Sequence, residues 1–400
     1  MTRPGARMAG GRAWPLRIGI AIAMLILAVF VVRHSLAYSM RGKAPEMALR
    51  LAPYDARVQA IAAEALQASQ VPGKGQPQAR RLATNALERQ LLNPSALATL
   101  AIDALARGDL GRSRAIVNYS QRISRRDLRT QIFLIEDAVA ANNIAGALRH
   151  YDIALSTVRA APGILFPILR SAIGDPAVRE PLAKLLAGRP EWANNFIEDV
   201  AANATDPVAA AALFARLHQL RYTVPPSADA TLSAALVAQG NIDAAWRYYA
   251  ATRSNVHRDR NRNPRFEQVP ALPGPFDWKW TSIEGLSILA EPGAIEYQVS
   301  GGRSGLLLNQ MQVLPQGQYR FQAQVASVQG GDKERPYWTV TCTDGPELLR
   351  STLPRGDGSI ALSFAVPSGC LSQQLTLTAP TPDDLNDLSG RIMRAEISRK

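Results

Sequence analysis

The stretch Pro270-Ala271-Leu272-Pro273-Gly274-Pro275 constrains the fold more than any other part of the chain. Its prolines fix φ and remove backbone donors, so it can be neither a helix nor a central strand. The sequence obeys different rules on its two sides. Over residues 45–253 Ala, Leu and Arg dominate, and apolar residues recur at three- and four-residue steps with breaks near Pro94, Gly108, Pro162, Gly174, Pro190, Pro207 and Pro225. That pattern predicts a series of short amphipathic helices. Beyond the break, short runs at 287–289, 295–299, 305–308, 319–325, 338–342, 359–366, 374–378 and 391–398 are separated by Gly, Pro, Asp and Asn clusters. These predict about eight antiparallel strands in a sandwich, best fitted by a jelly roll. The polar, Asn-rich run 253–265 precedes the break, so residues 254–275 are expected to be a linker between an α-solenoid over 45–253 and a β-sandwich over 276–400. The fold class is multidomain, α and then antiparallel β.

Residues 1–17 carry Arg3, Arg7, Arg12 and Arg17 without an acid, and residues 18–32 hold no charged or strongly polar side chain. A basic leader before an apolar run is an export signal or a membrane anchor. At 1.5 Å per residue the run spans about 22 Å, short of the roughly 30 Å hydrocarbon core and within the range of a signal peptide. Ser35-Leu36-Ala37 has the small-x-small form of a cleavage site, but Arg33 and His34 stand where such a region is normally uncharged. Trp14 and Tyr38 occupy interfacial positions, and Arg17 and Arg33 can snorkel to the headgroups. The reading adopted is an uncleaved transmembrane helix over 18–38, a cytoplasmic leader over 1–17 and a periplasmic bulk, a single pass through a bacterial inner membrane.

A 34-residue period runs through the first helices. Ala79, Ser113 and Ala147 share one register, as do Ala83, Val117 and Tyr151, then Ala86, Ser120 and Ala154, and in the preceding helices Leu66, Leu100 and Leu134. Turns recur at Gly108-Asp109-Leu110 and Asn142-Asn143-Ile144, and Gly240-Asn241-Ile242 is a similar turn outside the register. Small residues at these steps let two helices approach closely. The spacing resembles the tetratricopeptide repeat over roughly residues 60–160, with Ala63, Leu97 and Gln131 where that family often carries Trp. The resemblance implies a solenoid whose concave face binds a protein segment; a structural spacer is the alternative. Arg122, Arg125, Arg126 and Arg129 form the densest basic cluster among the helices, with 122/126 and 125/129 one turn apart on one face, a candidate dock for an acidic partner.

Forty-five Lys+Arg against 33 Asp+Glu give a net charge of +12, which suits anionic partners. Residues 281–400 hold 10 Lys+Arg against 12 Asp+Glu, so the excess lies in the earlier part, and export removes nucleic acid as a partner. Four His and two Cys are too few for the usual zinc sites, so neither a metal nor another cofactor is expected. Cys342 and Cys370, 28 apart, are expected to pair in an exported domain, with separately buried thiols as the alternative. No G-x-S-x-G, Walker, H-E-x-x-H or dinucleotide motif stands in a credible context, which predicts a protein without catalytic residues. Glu136-Asp137 and Glu198-Asp199 diverge on a helix, and His150 and His218 stand alone.

The run Asn263-Pro264-Arg265-Phe266-Glu267, then Pro275-Phe276-Asp277-Trp278, then Leu314-Pro315-Gln316-Gly317-Gln318-Tyr319-Arg320-Phe321 resembles jelly-roll carbohydrate-binding modules. The resemblance implies glycan binding on flat aromatic faces, with Trp278, Trp280, Tyr337 and Trp338 as candidates; the alternative places Trp278 and Trp280 in the core at the sandwich edge. Asp277, Asp332 and Glu334 are possible ligands for Ca²⁺ or hydroxyls, with an exposed hairpin loop as the simpler reading of 330–335. The layout as a whole resembles membrane-anchored proteins associated with exopolysaccharide production in Gram-negative bacteria. It implies a scaffold that holds a protein on the solenoid and polysaccharide on the β domain, or else a tether that binds protein alone.

Overall fold

The structure, a computed structural model, describes residues 13–69, 77–331, 334–381 and 387–400. The chain divides after Ala161 into two compact units. The region expected as one solenoid over 45–253 is therefore shared between them.

The first unit contains α1 (Ala13–Met40), α2 (Pro45–Leu51), α3 (Ala56–Ala68), α4 (Pro77–Arg89), α5 (Pro94–Ala106), α6 (Leu110–Ile123), α7 (Leu128–Ala140) and α8 (Ile144–Thr157). Short polar residues start these helices: Asp55, Asn93, Asp109, Asp127 and Asn143 each accept a backbone N–H of the first turn. The turns inside two hairpins end in the left-handed region, Gly108 at φ 80° and Asn142 at φ 53°. There Asp109 N donates to Ala104 O at 2.9 Å and Asn143 N to Ala138 O at 2.8 Å, the Schellman bond that satisfies the last carbonyls.

Helices α3/α4, α5/α6 and α7/α8 pack as hairpins. The small and bulky residues of the second-helix registers are buried in all three, and so are Ala63, Leu97 and Gln131. Polar members of the register are satisfied within the unit. Ser113 Oγ donates to Ala101 O at 2.9 Å, Ser120 and Thr130 hydroxyls lie 3.1 Å apart, and Gln131 Oε1 lies 3.0 Å from His150 Nδ1.

Within α1, Leu16–Met40 is long and apolar enough to cross a membrane. Its last turns belong to the folded unit: Ala37 is fully buried in a cluster with Ala48 and Val58, and Arg33 Nη2 donates to Leu51 O at 3.2 Å.

The second unit begins with α9 (Ala161–Ala172), α10 (Pro176–Ala187), α11 (Ala193–Asn203), α12 (Pro207–Gln219), α13 (Pro226–Ala238) and α14 (Ile242–Thr252). In its core the Phe196 ring meets Phe166 and Trp192 edge-on at 5.2 and 5.9 Å, and Phe166 and Trp192 lie tilted to each other at 6.4 Å. Gly240, at φ 76°, turns α13 into α14, and Asn241 N donates to Leu236 O. The turn chemistry therefore recurs where the 34-residue register has lapsed.

Among the described residues ten strands follow: β1 (Lys279–Trp280), β2 (Leu286–Glu291), β3 (Ala294–Val299), β4 (Gly305–Gln312), β5 (Gly317–Val328), β6 (Tyr337–Cys342), β7 (Glu347–Thr352), β8 (Gly356–Val366), β9 (Gln373–Ala379) and β10 (Leu388–Arg399). They form antiparallel sheets in the orders β1-β4-β9-β6-β7 and β2-β3-β10-β5-β8. Without the edge strands β1 and β2, the orders β3-β10-β5-β8 and β4-β9-β6-β7 are the interleaved Greek keys of a jelly roll. Alternate residues such as Tyr319, Phe321, Ala323 and Val325 of β5 fill the space between the sheets.

The expected linker over 254–275 is instead partly built into the sandwich. Arg260 bridges to Ser398, and Asn261 is buried, receiving Ile397 N on its Oδ1 at 2.8 Å and donating from Nδ2 to Ala395 O at 2.9 Å. Gln310 Oε1 accepts from Asn261 Nδ2 at 3.2 Å and Gln312 Nε2 at 2.8 Å, while its Nε2 donates to Arg262 O and Phe276 O, both at 3.0 Å. A buried, mutually satisfied amide cluster thus fixes the segment, because each bond is made away from competing water.

Candidate functional site

The Pro275-Phe276-Asp277-Trp278 hook gives successive side chains opposite destinations. Phe276 enters the helices, with its ring 5.3 Å from Trp246 in an edge contact and 5.2 Å from Tyr249. Trp278 enters the sandwich, 5.2 Å from Phe266 and 6.0 Å from Trp338, which in turn meets Phe321 at 5.6 Å. Between them Asp277 accepts the Tyr249 hydroxyl at 2.6 Å and Gly274 N at 3.0 Å. Burial, and then the negative charge of Asp277, push the Tyr249 phenol far above its ordinary range, so it stays a proton donor. The guanidinium groups of Arg253 and Arg262 lie 5.3 and 5.0 Å from the Tyr249 ring. A cavity of about 570 Å³ opens beside the hook, lined in part by Arg253, Arg262, Gln268, Leu272 and Gln310.

The hook is therefore structural, and two of the four expected sugar-stacking aromatics are not available. Trp278 is 2% exposed and Trp338 is fully buried, since a large indole that reaches the space between the sheets gains more there than in solvent. Trp280 pairs across the strands with Leu308 and so shares the core face; it packs, half-buried, against the core. Tyr337 precedes Trp338 on β6 and must point the other way, out of the sandwich. Its ring is half-buried, and the Arg350 guanidinium lies 4.4 Å over it. Arg350 is held there by Glu347 at 2.7 Å, which lowers the Glu347 pKa.

Strand register aligns Tyr337 with Leu306, Thr378 and Thr352, and places Lys279, Asn309, Thr376, Thr339 and Arg350 in the adjacent row. This outer face offers hydroxyls, an amide, cations and one aromatic ring. The threonines of the central strands were not singled out in the sequence, although T-x-T in β6 and β9 is the signal that marks them.

The arginine cluster is also rearranged. Helix α6 ends at Ile123 and Asp127 caps α7, so the four residues straddle a turn and do not share one helical face. Arg129 is committed to Ser95 Oγ at 2.9 Å and Glu64 at 3.1 Å, pinning α7 to the earlier hairpins. Arg122, Arg125 and Arg126 remain exposed.

Asp277 serves the hook, Glu334 Oε2 accepts Gly331 N at 3.0 Å as a hairpin-loop residue does, and Asp332 lies outside the described residues. Among the described residues no group of three or more His, Cys, Asp or Glu side chains is placed to hold a metal ion. Cys342 and Cys370 form a disulfide with Cα atoms 5.6 Å apart, tying the end of β6 to the loop before β9.

No protein family and no curated protein matches the chain. Solved structures similar to it include a CBM4 module at 12% identity and TM-score 0.27, covering 34% of this chain and 98% of the module. The TmCBM61 structure in complex with beta-1,4-galactotriose matches at 17% identity and TM-score 0.27, covering 36% of this chain and 100% of that one. The arabinose-bound α-L-arabinofuranosidase MgGH51 matches at 12% identity and TM-score 0.27 over 37% of this chain, but only 27% of its own length.

Proposed function

We propose that the chain is a non-enzymatic, membrane-anchored periplasmic scaffold. Its tetratricopeptide-like hairpins engage a protein partner, and its β-sandwich contacts polysaccharide during exopolysaccharide assembly or export. The observation that carries this reading is the burial of the far end of α1. A cleaved signal peptide is removed on export and takes no part in the packing of the mature protein. Ser35-Leu36-Ala37 lies instead within an unbroken helix, with Ala37 packed on Ala48 and Val58. Cleavage there would remove a wall of the first hydrophobic cluster, so the apolar helix is retained as an anchor. The Cys342–Cys370 bond supports an oxidising compartment for the sandwich.

Support for sugar contact comes from the outer row around Tyr337, whose ring and neighbouring threonines match the apolar faces and hydroxyls of pyranoses. A protein-only tether is the second reading, favoured by the burial of Trp278 and Trp338 and by Arg350 covering Tyr337. Intact-mass measurement on the membrane fraction tests the anchor. The full-length mass is expected there, and a soluble product beginning near residue 38 would overturn the reading.

A further inference from the structure

We infer that the first unit holds the phosphate of an anionic phospholipid in a groove beside the end of its anchor. The inference rests on the anchored reading of α1. The groove, of about 400 Å³, is lined in part by Tyr38, Arg41, Arg57, Leu92, Ser95 and Arg126. The Arg41 guanidinium stacks 3.3 Å over the Tyr38 ring and donates to Tyr38 O at 3.1 Å, so it is held in place rather than free to roam. Arg57 and Arg126 are exposed, and none of these three arginines forms an ion pair among the described residues. The acid in the lining, Asp127, is occupied: Oδ1 accepts Thr130 N at 2.8 Å and Oδ2 lies 3.8 Å from Arg129. The groove therefore carries a fixed excess of positive charge, to which the N-terminal end of α5 at Pro94 and Ser95 adds its partial charge.

The anchor sets the depth of this groove. About 20 helical residues cross a hydrocarbon core of roughly 30 Å. Counted from Leu16, the core ends near residue 35, which puts Tyr38 and Arg41 about 5 and 9 Å beyond it at 1.5 Å per residue. That is the level of the headgroup phosphates. Apolar side chains are exposed at the groove and at the neighbouring cleft: Leu92 of the groove lining is 61% and the adjacent Leu91 73% exposed, and Tyr54 of the cleft is 76% exposed with Arg89 5.6 Å from its ring. A site for a soluble anion has no use for adjacent exposed leucines, whereas a surface resting on the acyl boundary does. A cleft of about 580 Å³ between Ile26, Val29 and Phe30 of α1 and Leu51, Pro53 and Tyr54 offers space for an acyl chain.

The test uses the full chain in nanodiscs of phosphatidylcholine alone or with phosphatidylglycerol, read by native mass spectrometry for retained lipid and by thermal unfolding. Phosphatidylglycerol should be retained preferentially and should raise the unfolding temperature. The double variant Arg57→Gln/Arg126→Gln should weaken that preference roughly 25-fold, from the contribution of two basic residues near an anionic surface. Arg122→Gln, an exposed arginine of α6 outside the groove lining, should leave it unchanged. Equal retention of the two lipids overturns the proposal, as does a preference that survives the double variant with its circular dichroism unchanged. Equal stabilisation of the phosphatidylcholine discs by glycerol phosphate, or by an acidic peptide, also overturns it and reassigns the groove. The same spectra separate the two readings. A mass lacking residues up to Ala37 removes the anchor and the proposal together, while a full mass without lipid preference removes the proposal alone.

Discussion

Replacing Phe276 by alanine tests whether the hook welds the second unit's helices to its sandwich. The ring is 1% exposed and lies against Trp246 and Tyr249 on α14, while the same four-residue segment places Trp278 in the sandwich core. Removing a fully buried phenyl group costs about 3–5 kcal/mol, the lost transfer energy together with the cavity left behind. For a unit of this size each kcal/mol lowers the melting temperature by about 2–4 °C, so Phe276→Ala should lower it by roughly 6–20 °C. Calorimetry of the detergent-solubilised chain, followed in parallel by helical and aromatic circular dichroism, is the assay. Both signals of the second unit should move together. Leu272→Ala, at a 53% exposed position in the neighbouring loop, should change little. A drop below about 3 °C, or a helical transition that stays in place while the aromatic one shifts, would refute the reasoning.

Other outcomes follow from single contacts. Replacing Cys342 and Cys370 by serine opens a 28-residue loop and should cost about 3–4 kcal/mol in the chain-entropy model; a wild-type denaturation midpoint that does not move under reducing conditions would contradict this. Burial, with a further push from Arg149, holds His150 below its ordinary value of 6.5, so the unfolded chain binds the proton first as the pH falls. Its contribution is complete above pH 6.5 and is lost as the pH drops toward the folded value. The first unit should therefore weaken as the pH falls below 6.5, and His150→Gln should flatten that dependence in urea titrations; an unchanged slope would count against it. Gly108→Ala meets no atom within 4 Å but forces a left-handed alanine, so it should cost about 1 kcal/mol by backbone strain alone; a neutral effect on the melting temperature would contradict the turn assignment.

The register of the helical hairpins was legible because small residues every 34 positions, and Gly or Asn at the turns, are dictated by backbone geometry. The jelly roll was legible from period-2 runs between turn residues, although β7 escaped because its Glu347 and Arg350 face solvent at the sheet edge. Strand β4 runs past Leu308 through Gln310 and Gln312, polar residues that resemble a loop until the buried amide cluster gives them partners. The same cluster explains why 254–275 looked like a linker: its fixing contacts, Asn261 to Ala395 and Gln310, span more than forty residues and leave no local pattern. For the site, the sequence names aromatic residues but cannot say which face of a strand they take. One step along β6 separates the buried Trp338 from the outward Tyr337.

The central claim, a tethered scaffold whose sandwich meets polysaccharide, is tested most directly by titrating the full detergent-solubilised chain with the host's own surface polysaccharide in a calorimeter, beside Tyr337→Ala. The account predicts saturable binding that is lost in the variant while its melting temperature stays within a few degrees of wild type. Binding that survives Tyr337→Ala, or no binding by the folded chain, would contradict the sugar-contacting face and leave the protein-only tether.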